Sequence, residues 1–156
     1  MVRLADLSEL DRENMLKKIP TLPQFPGRSW VTSHALRKRR IAIVTTAGLH
    51  VRGDIPFGAG GMDYRVIPAE IPSGDLVMSH MSVNFDRSGF QADWNVAFPL
   101  DRLKDLADEG TIGSVAAFHY SFMGAVSPVT RYEPKARELA ALLEKDNVDA
   151  VLLSPV

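Results

Sequence analysis

The stretch that decides the fold is Ile41-Ala42-Ile43-Val44-Thr45-Thr46. It is an almost continuous run of apolar and β-branched residues, which follows the basic residues 37–40 and ends at Ala47-Gly48. Such runs are typical of strands that are buried on both faces, as in a parallel sheet. The stretch therefore predicts a central strand, and the basic run before it is interpreted as the solvated entrance to that strand.

Further strands and helices alternate after this run. Residues 76–80, 114–119 and 148–154 are predicted to join 41–46 in one sheet, and Arg65-Val66-Ile67-Pro68 is predicted as a short edge strand, where proline is tolerated. Helices are predicted at 99–109, ended by Gly110, and at 134–145, which is rich in Ala, Leu and Glu. The alternation predicts an α/β fold with an open, mainly parallel sheet and flanking helices.

The N-terminal residues 1–39 are predicted to form a helix and a proline-rich, extended arm. Ser8 is a candidate cap for a helix over residues 7–19. Three prolines, Pro20, Pro23 and Pro26, then favour an extended connector. Residues 40–156 are predicted to be the α/β domain.

Composition restricts the classes of function. Eighteen Lys plus Arg against nineteen Asp plus Glu give a formal net charge of −1, so no global charge favours nucleic acid. No stretch approaches the ~20 apolar residues of a membrane span, and the N-terminus lacks the apolar core of a signal peptide. These features predict a cytoplasmic protein. The sequence contains no cysteine, which excludes disulfides, thiolate metal sites and thiol catalysis within these residues.

Three of the four histidines, His50, His80 and His119, stand at the ends of predicted strands. Ligands of open α/β sheets bind outside the carboxyl ends of the strands, so we expect these side chains to share one edge. An imidazole cluster there would serve acid–base, substrate-binding or metal roles, while the alternative is that each histidine is a hydrogen-bonded structural residue. Because spacing alone specifies no ligand geometry, no metal site is predicted.

A glycine-rich region, 58–61, follows the first strand but does not match a phosphate-binding loop, because it lacks both the GxxxxGK[ST] and the GxGxxG spacing. We interpret it as a flexible loop or a turn-rich connector. Asp63, Tyr64 and Arg65 come directly after it and could reach over the end of the first strand, where Thr46 lies. These four residues are the candidate substrate-binding set.

Several blocks, taken in order over residues 27–156, resemble one family. They are VTTAGLH at 44–50, DYRVIP at 63–68, SH at 79–80, VAFPLDRL at 96–103, EGTIG at 109–113, FHYSFMG at 118–124 and VDAVLLSPV at 148–156. The sequence thereby resembles the selenoprotein B-type subunits of the glycine, sarcosine, betaine and D-proline reductases. The loop Asn84-Phe85-Asp86-Arg87 departs from the acidic pattern of the D-proline and glycine enzymes in that family, which leaves the substrate open.

The resemblance implies a subunit of a reductase that cleaves a C–N bond with a selenocysteine, usually with a cysteine three residues later. That motif is expected immediately after Val156, and no other cofactor is expected in this chain. Because a stop codon encodes selenocysteine, an ordinary reading of the gene would end there, and the 156-residue chain is expected to be truncated and inactive alone. Its histidines and Arg65 would bind a carboxylate substrate or protonate the leaving amine, with a His80 imidazolium favouring the anionic nucleophile.

Partners follow from the same interpretation. A small-molecule substrate and other reductase subunits are expected, without nucleic acid or membrane. An incomplete sheet would expose apolar surface, so we also expect self-association. Two alternatives remain open at this point: a non-catalytic α/β module that binds a small anionic ligand, and a module that binds a partner subunit.

Overall fold

The structure is a computed structural model that describes residues 3–24, 27, 32, 34–82, 86–124 and 128–156. Pro26, Asn84 and Phe85, which entered the predictions above, lie outside these residues. The backbone groups into two compact units, residues 1–31 and 32–156. The predicted division between residues 39 and 40 stays a prediction.

The first unit contains helix α1, Glu9–Lys18. The Ser8 hydroxyl accepts a hydrogen bond from the Asp11 amide at 3.2 Å, which confirms the predicted cap. A short 3-10 turn, Ile19–Thr21, follows the helix and contains Pro20. None of the residues of α1 is buried, so its apolar side chains contribute no core in the described structure.

The second unit is built around a mostly parallel sheet. Its strands are β1 (Arg40–Thr45), β3 (Arg65–Pro68), β5 (Ser114–Val115), β6 (Phe118–Ser121) and β7 (Ala150–Ser154). β1 pairs in parallel with β7 on one side and with β5 and β6 on the other. β3 is antiparallel to β6 and forms an outer edge, so the predicted edge strand is confirmed.

One predicted member of this sheet lies elsewhere. The run at 76–80 forms β4 (Leu76–Met78), which pairs with β2 (Leu49–Val51) in a separate antiparallel sheet. Its placement in the parallel sheet is therefore wrong. The physical reason is Gly48, whose φ of +64° turns the chain directly after β1 and leads it into β2.

The predicted strand 114–119 is interrupted. Ala116 donates to the carbonyl of Ile41 at 2.9 Å and so follows β5. The Ala117 amide donates to the Asp146 carboxylate at 2.8 Å, and its carbonyl accepts from Ala69 at 3.0 Å. Because neither partner belongs to β1, the pairing with β1 is interrupted at Ala117. It resumes when the chain continues as β6.

Helices cover both faces of the sheet. Besides α2 (Ser88–Ala92), the unit contains α3 (Leu100–Asp108) and α4 (Glu133–Lys145), which confirm the two predicted helices. Leu100 and Leu103 of α3 pack with Ile41 and Ile43, whereas Leu139 of α4 packs with Tyr120 next to Val44. Alternate residues of a strand point to opposite faces, so α3 and α4 lie on opposite sides of β1.

Arg40 joins the amino ends of these elements. Its guanidinium donates to the Val115 carbonyl at 2.7 Å and forms an ion pair with Asp146 at 2.6 Å. Its backbone amide donates to the Asp149 carboxylate at 3.1 Å. Arg40 therefore connects β1, β5 and the segment between α4 and β7 through part-buried contacts, whereas the sequence suggested only a solvated entrance to the strand.

Gly113 gives a direct test of this packing. A Cβ at this position would lie 2.6 Å from the Lys38 carbonyl carbon and 2.9 Å from the Arg39 amide nitrogen, both of them backbone atoms. We expect Gly113→Ala to lower the free energy of unfolding by about 1–3 kcal/mol, because the start of β5 must shift. The measurement is urea denaturation. Gly58→Ala is the control, since a Cβ there meets no atom within 4 Å; equal stability of the two variants would contradict the prediction.

Candidate functional site

The parallel strands share a carboxyl edge, which we define as the ends of β1, β6 and β7 together with the residues that follow them. β1 ends at Thr45, opposite Ser121 on one side and Ser154 on the other. β3 starts at the same edge because Arg65 is opposite Ser121 in the antiparallel pair. Open α/β folds bind their ligands at such an edge.

Thr46 and Gly124 hold the chain after β7 at this edge. The Val156 amide donates to the Thr46 hydroxyl at 2.9 Å, and the same hydroxyl donates to the Val156 carbonyl at 3.3 Å. A Cβ on Gly124 would lie 2.7 Å from the Val156 carbonyl oxygen and 2.9 Å from that of Thr46. Only glycine therefore permits this approach of the three backbones.

His80 lies beside the same edge through its contact with Gly48. The Ser79 amide donates to the Gly48 carbonyl at 2.9 Å. A Cβ on Gly48 would lie 3.0 Å from the His80 Cα and 3.3 Å from the Met123 sulfur, so the loop after β1 and the segment after β4 pack closely. His80 is thus the histidine that the structure brings to the carboxyl edge, and it is buried there.

The environment of His80 favours the neutral imidazole. Burial lowers the pKa of His80, and the positive charge of Arg87 lowers it further. The Ser82 amide donates to Nδ1 at 3.2 Å, which leaves the ring hydrogen of the neutral form on Nε2. Arg87 also donates to the His80 carbonyl. The His80 imidazolium expected from the sequence is therefore disfavoured near neutral pH.

His50 does not end a parallel strand, so that expectation is wrong. It is the middle residue of β2 and lies opposite Val77 in the antiparallel sheet. Its Nδ1 donates to the Val51 carbonyl at 3.0 Å, and Nε2 is buried without a hydrogen-bond partner among the described residues. His50 follows Leu49, whose amide donates to the Ser121 hydroxyl at 2.7 Å. It therefore lies in the small antiparallel sheet of β2 and β4 and not at the end of β1.

His119 is also not at a strand end, because it is the second residue of β6, opposite Ile67. Its Nδ1 accepts a 2.9 Å hydrogen bond from the Ile43 amide of β1. Its ring also packs edge to face on Phe98, with ring centroids 5.6 Å apart. Burial lowers the pKa of His119 to about 4. His119 thereby replaces a backbone acceptor where the strand 114–119 is interrupted.

Arg65 and Tyr64 lie at the carboxyl edge, but their polar groups form hydrogen bonds within the protein. The Arg65 guanidinium donates to the carbonyls of Ile55 and Tyr64 at 2.7 and 3.0 Å and lies 4.7 Å from the centre of the Phe57 ring. Tyr64 donates to Glu138 of α4 at 2.7 Å, and burial together with this bond raises its pKa to about 12. Asp63 forms an ion pair with Lys135 at 3.2 Å.

The described residues contain no group of three or more His, Cys, Asp or Glu that could hold a metal ion. Two clefts lie away from the predicted site residues. One, of about 720 Å³, is lined by residues including Trp94 and Asp101. The other, of about 800 Å³, is lined by residues including Arg40 and Lys104. No helix in the described part of the chain has the length and apolarity to cross a bilayer.

Sequence reasoning missed Gly48, Gly124 and Arg87 as parts of the edge. Gly48 could have been identified from the sequence, because a glycine shortly after a β-branched strand marks a turn. The close approach at Gly124 involves Thr46 and Val156, which are distant in sequence, so no local signal could have identified it. The contact of Arg87 with the His80 carbonyl joins residues seven positions apart, and no sequence motif marks it.

The buried His119 predicts a pH dependence of stability. Its pKa is about 4 in the folded protein against 6.5 for an unperturbed histidine, so the unfolded chain binds the extra proton first. The stability contributed by neutral His119 is complete above pH 6.5 and is lost as the pH falls to 4, a change on the order of 3 kcal/mol. Urea denaturation across this range measures it.

The matched variant is His119→Asn, because an amide oxygen can accept from Ile43 but does not titrate in this range. We expect this variant to lose stability less steeply between pH 6.5 and 4 than the parent protein. His34→Asn, at an exposed position, should keep the parent's slope. Equal slopes for all three proteins would show that His119 is not the titrating group.

Comparisons with known proteins place the chain in a family. Residues 65–156 match the family described as glycine/sarcosine/betaine reductase selenoprotein B. The chain is 34% identical over 136 residues to the D-proline reductase subunit gamma of Acetoanaerobium sticklandii, which covers 85% of this chain and 55% of that protein. No solved structure is significantly similar.

Two other relatives extend the match. Identity is 33% over 126 residues to the betaine reductase complex component B subunit beta of Peptoclostridium acidaminophilum, covering 76% of this chain and 28% of the relative. Identity is 30% over 125 residues to the glycine reductase complex component B subunit gamma of Symbiobacterium thermophilum. This match covers 76% of this chain and 29% of the relative. The chain thus spans about half the length of the first of these relatives and less than a third of the other two. It belongs to the glycine/sarcosine/betaine reductase selenoprotein B family.

Proposed function

We propose that this chain is the N-terminal part of a selenocysteine-dependent reductase subunit that cleaves a C–N bond of a small amino acid or related substrate. Membership of the selenoprotein B family and the names of the relatives support the reaction class. The location of the reaction at the carboxyl edge is supported by the two hydrogen bonds between Thr46 and Val156. They hold the chain after β7 at this edge, beside His80.

The residues at this edge fit a reactive group that follows Val156. The Val156 backbone is fixed by the Thr46 hydroxyl and by the close approach of Gly124, so the direction of the next residue is restricted. A selenocysteine there, with a nearby cysteine, would supply the two electrons of the cleavage and be returned to its reduced form by an external dithiol. In the overall reaction the C–N bond breaks, the carbon gains a hydrogen and the nitrogen leaves as an amine.

Within this proposal His80 acts as a neutral group. Its lowered pKa favours the neutral ring near neutral pH, so His80 would act through its Nε2–H as a hydrogen-bond donor and not as a fixed cation. Arg87, which donates to the His80 carbonyl, adds positive charge beside His80 and would attract a substrate carboxylate. Arg65 and Tyr64 position the loop before β3 and α4, whereas His50 and Asp63 remain predicted site residues without an assigned step.

The partners in this proposal are the substrate and the other subunits of a reductase complex, as the names of the relatives suggest. We also propose that the protein associates with itself and acts in the cytoplasm.

Determining the coding sequence beyond Val156 gives the first test. We expect an in-frame selenocysteine codon there, followed by a cysteine codon three residues later and a further α/β segment. The full-length protein with selenocysteine, supplied with its companion subunits and a dithiol, should release amine or ring-opened product from glycine, sarcosine, betaine or D-proline. The 156-residue chain alone should give no turnover.

The matched controls separate chemistry from folding. A full-length protein with serine in place of selenocysteine should lose activity while it keeps its circular dichroism spectrum. His80→Asn in the active protein should lower activity at least about tenfold, a loss of about 1.4 kcal/mol in transition-state stabilisation. His34→Asn should not. Turnover by the 156-residue chain, or a coding sequence beyond Val156 without a selenocysteine codon, would disprove the proposal.

A further inference from the structure

β7 lies at an edge of the sheet but has the composition of an interior strand. It pairs with β1 along one side, and no strand among the described residues pairs with its other side. Val151 is 40% exposed, Leu152 38% and Leu153 69%, although all three are aliphatic. β7 contains no charged residue and no proline, which are the residues that protect sheet edges. Continuous aliphatic runs are instead typical of parallel strands that are buried on both faces.

The exposed side chains of β7 divide between the two faces of the sheet. Residues that are directly paired in neighbouring strands point to the same face. Leu153 is paired with Val44 and therefore lies on the face that α4 covers, as does Val151. Ala150 and Leu152 lie on the opposite face, where Ala150 packs against the main hydrophobic core. The most exposed side chain of β7 is thus on the α4 face, although α4 does not cover it.

The connection from β6 to β7 indicates where a further connection would run. It passes from one side of β1 to the other and carries α4 on the face of Leu153. Connections between parallel strands of one sheet are almost always right-handed. A further connection that proceeds in the same direction, from β7 to a strand outside it, therefore lies on the same face as α4. Such a connection usually contains a helix.

We propose that the segment after Val156 returns along the α4 face as a helix that packs on Val151 and Leu153, and then forms a strand parallel to β7 at its free edge. The same chain is the occupant because Val156 is held at the carboxyl edge, where such a connection starts. Consecutive strands are also commonly neighbours in a sheet. The relatives have the length for such a segment, since the matches cover between 28% and 55% of them.

This inference rests on the proposed function, because it requires that the chain continues beyond Val156. It gives the continuing segment a second role. Besides supplying the reactive residue at the carboxyl edge, the segment buries the apolar side chains of β7 and makes β7 an interior strand of the sheet.

The experiment is thiol labelling of the full-length subunit in which serine replaces selenocysteine and every cysteine. Leu153→Cys or Val151→Cys introduces a single thiol. Ile55→Cys is the matched control, because Ile55 is 72% exposed and lies outside the sheet. We expect iodoacetamide to react with each β7 variant at least about tenfold more slowly than with the control, because buried thiols are inert. Rates in urea should be equal, and circular dichroism should show that all three variants are folded without urea.

Protection that is independent of protein concentration and present without companion subunits supports the proposal. Equal rates for the folded β7 variants and the control overturn it. So does protection that appears only at high protein concentration or only with a companion subunit, since a second copy or another subunit would then cover β7. These outcomes leave the reductase proposal intact, whereas a coding sequence that ends at Val156 would overturn both proposals.

Discussion

The backbone of β1 is hydrogen-bonded on both sides, and the rest of the α/β unit depends on this pairing. β7 is in register with it over five residues, and β5 and β6 pair with its two ends on the other side. The gap between β5 and β6 would leave the Ile43 amide without an acceptor in the buried sheet, and His119 Nδ1 fills that place. An unpaired buried amide costs roughly 1–3 kcal/mol, so the histidine is a structural requirement of this sheet.

This arrangement separates the three histidines that the sequence suggested as one cluster. His119 serves β1 from within β6, His50 belongs to the small antiparallel sheet, and His80 reaches the carboxyl edge through Gly48. Arg65, which the sequence suggested as a carboxylate ligand, donates to backbone carbonyls of its own loop. For the reaction, we propose Arg87, which lies beside His80, and the neutral His80 as the polar groups that face the substrate.

The parts of the fold that local pattern could predict are those that local chemistry determines. The β-branched run at β1, Pro68 at the edge of β3 and Gly110 after α3, with its φ of +72°, each mark an element in the sequence itself. The placement of β4 and the interruption at Ala117 could not be predicted in this way. The placement of β4 follows from a left-handed turn at Gly48. The interruption follows from Asp146 and Ala69, which are distant in sequence and form hydrogen bonds with the Ala117 amide and carbonyl.

The central claim is that the reaction of the full-length subunit takes place at the carboxyl edge of the sheet, beside Thr46, His80 and the residue after Val156. A crystal structure of the full-length protein with its substrate bound tests this claim most directly. We predict that the substrate contacts His80 and lies next to the residue after Val156, with its carboxylate towards Arg87. A substrate bound instead in the cleft lined by Trp94 and Asp101, with the carboxyl edge empty, would contradict the claim.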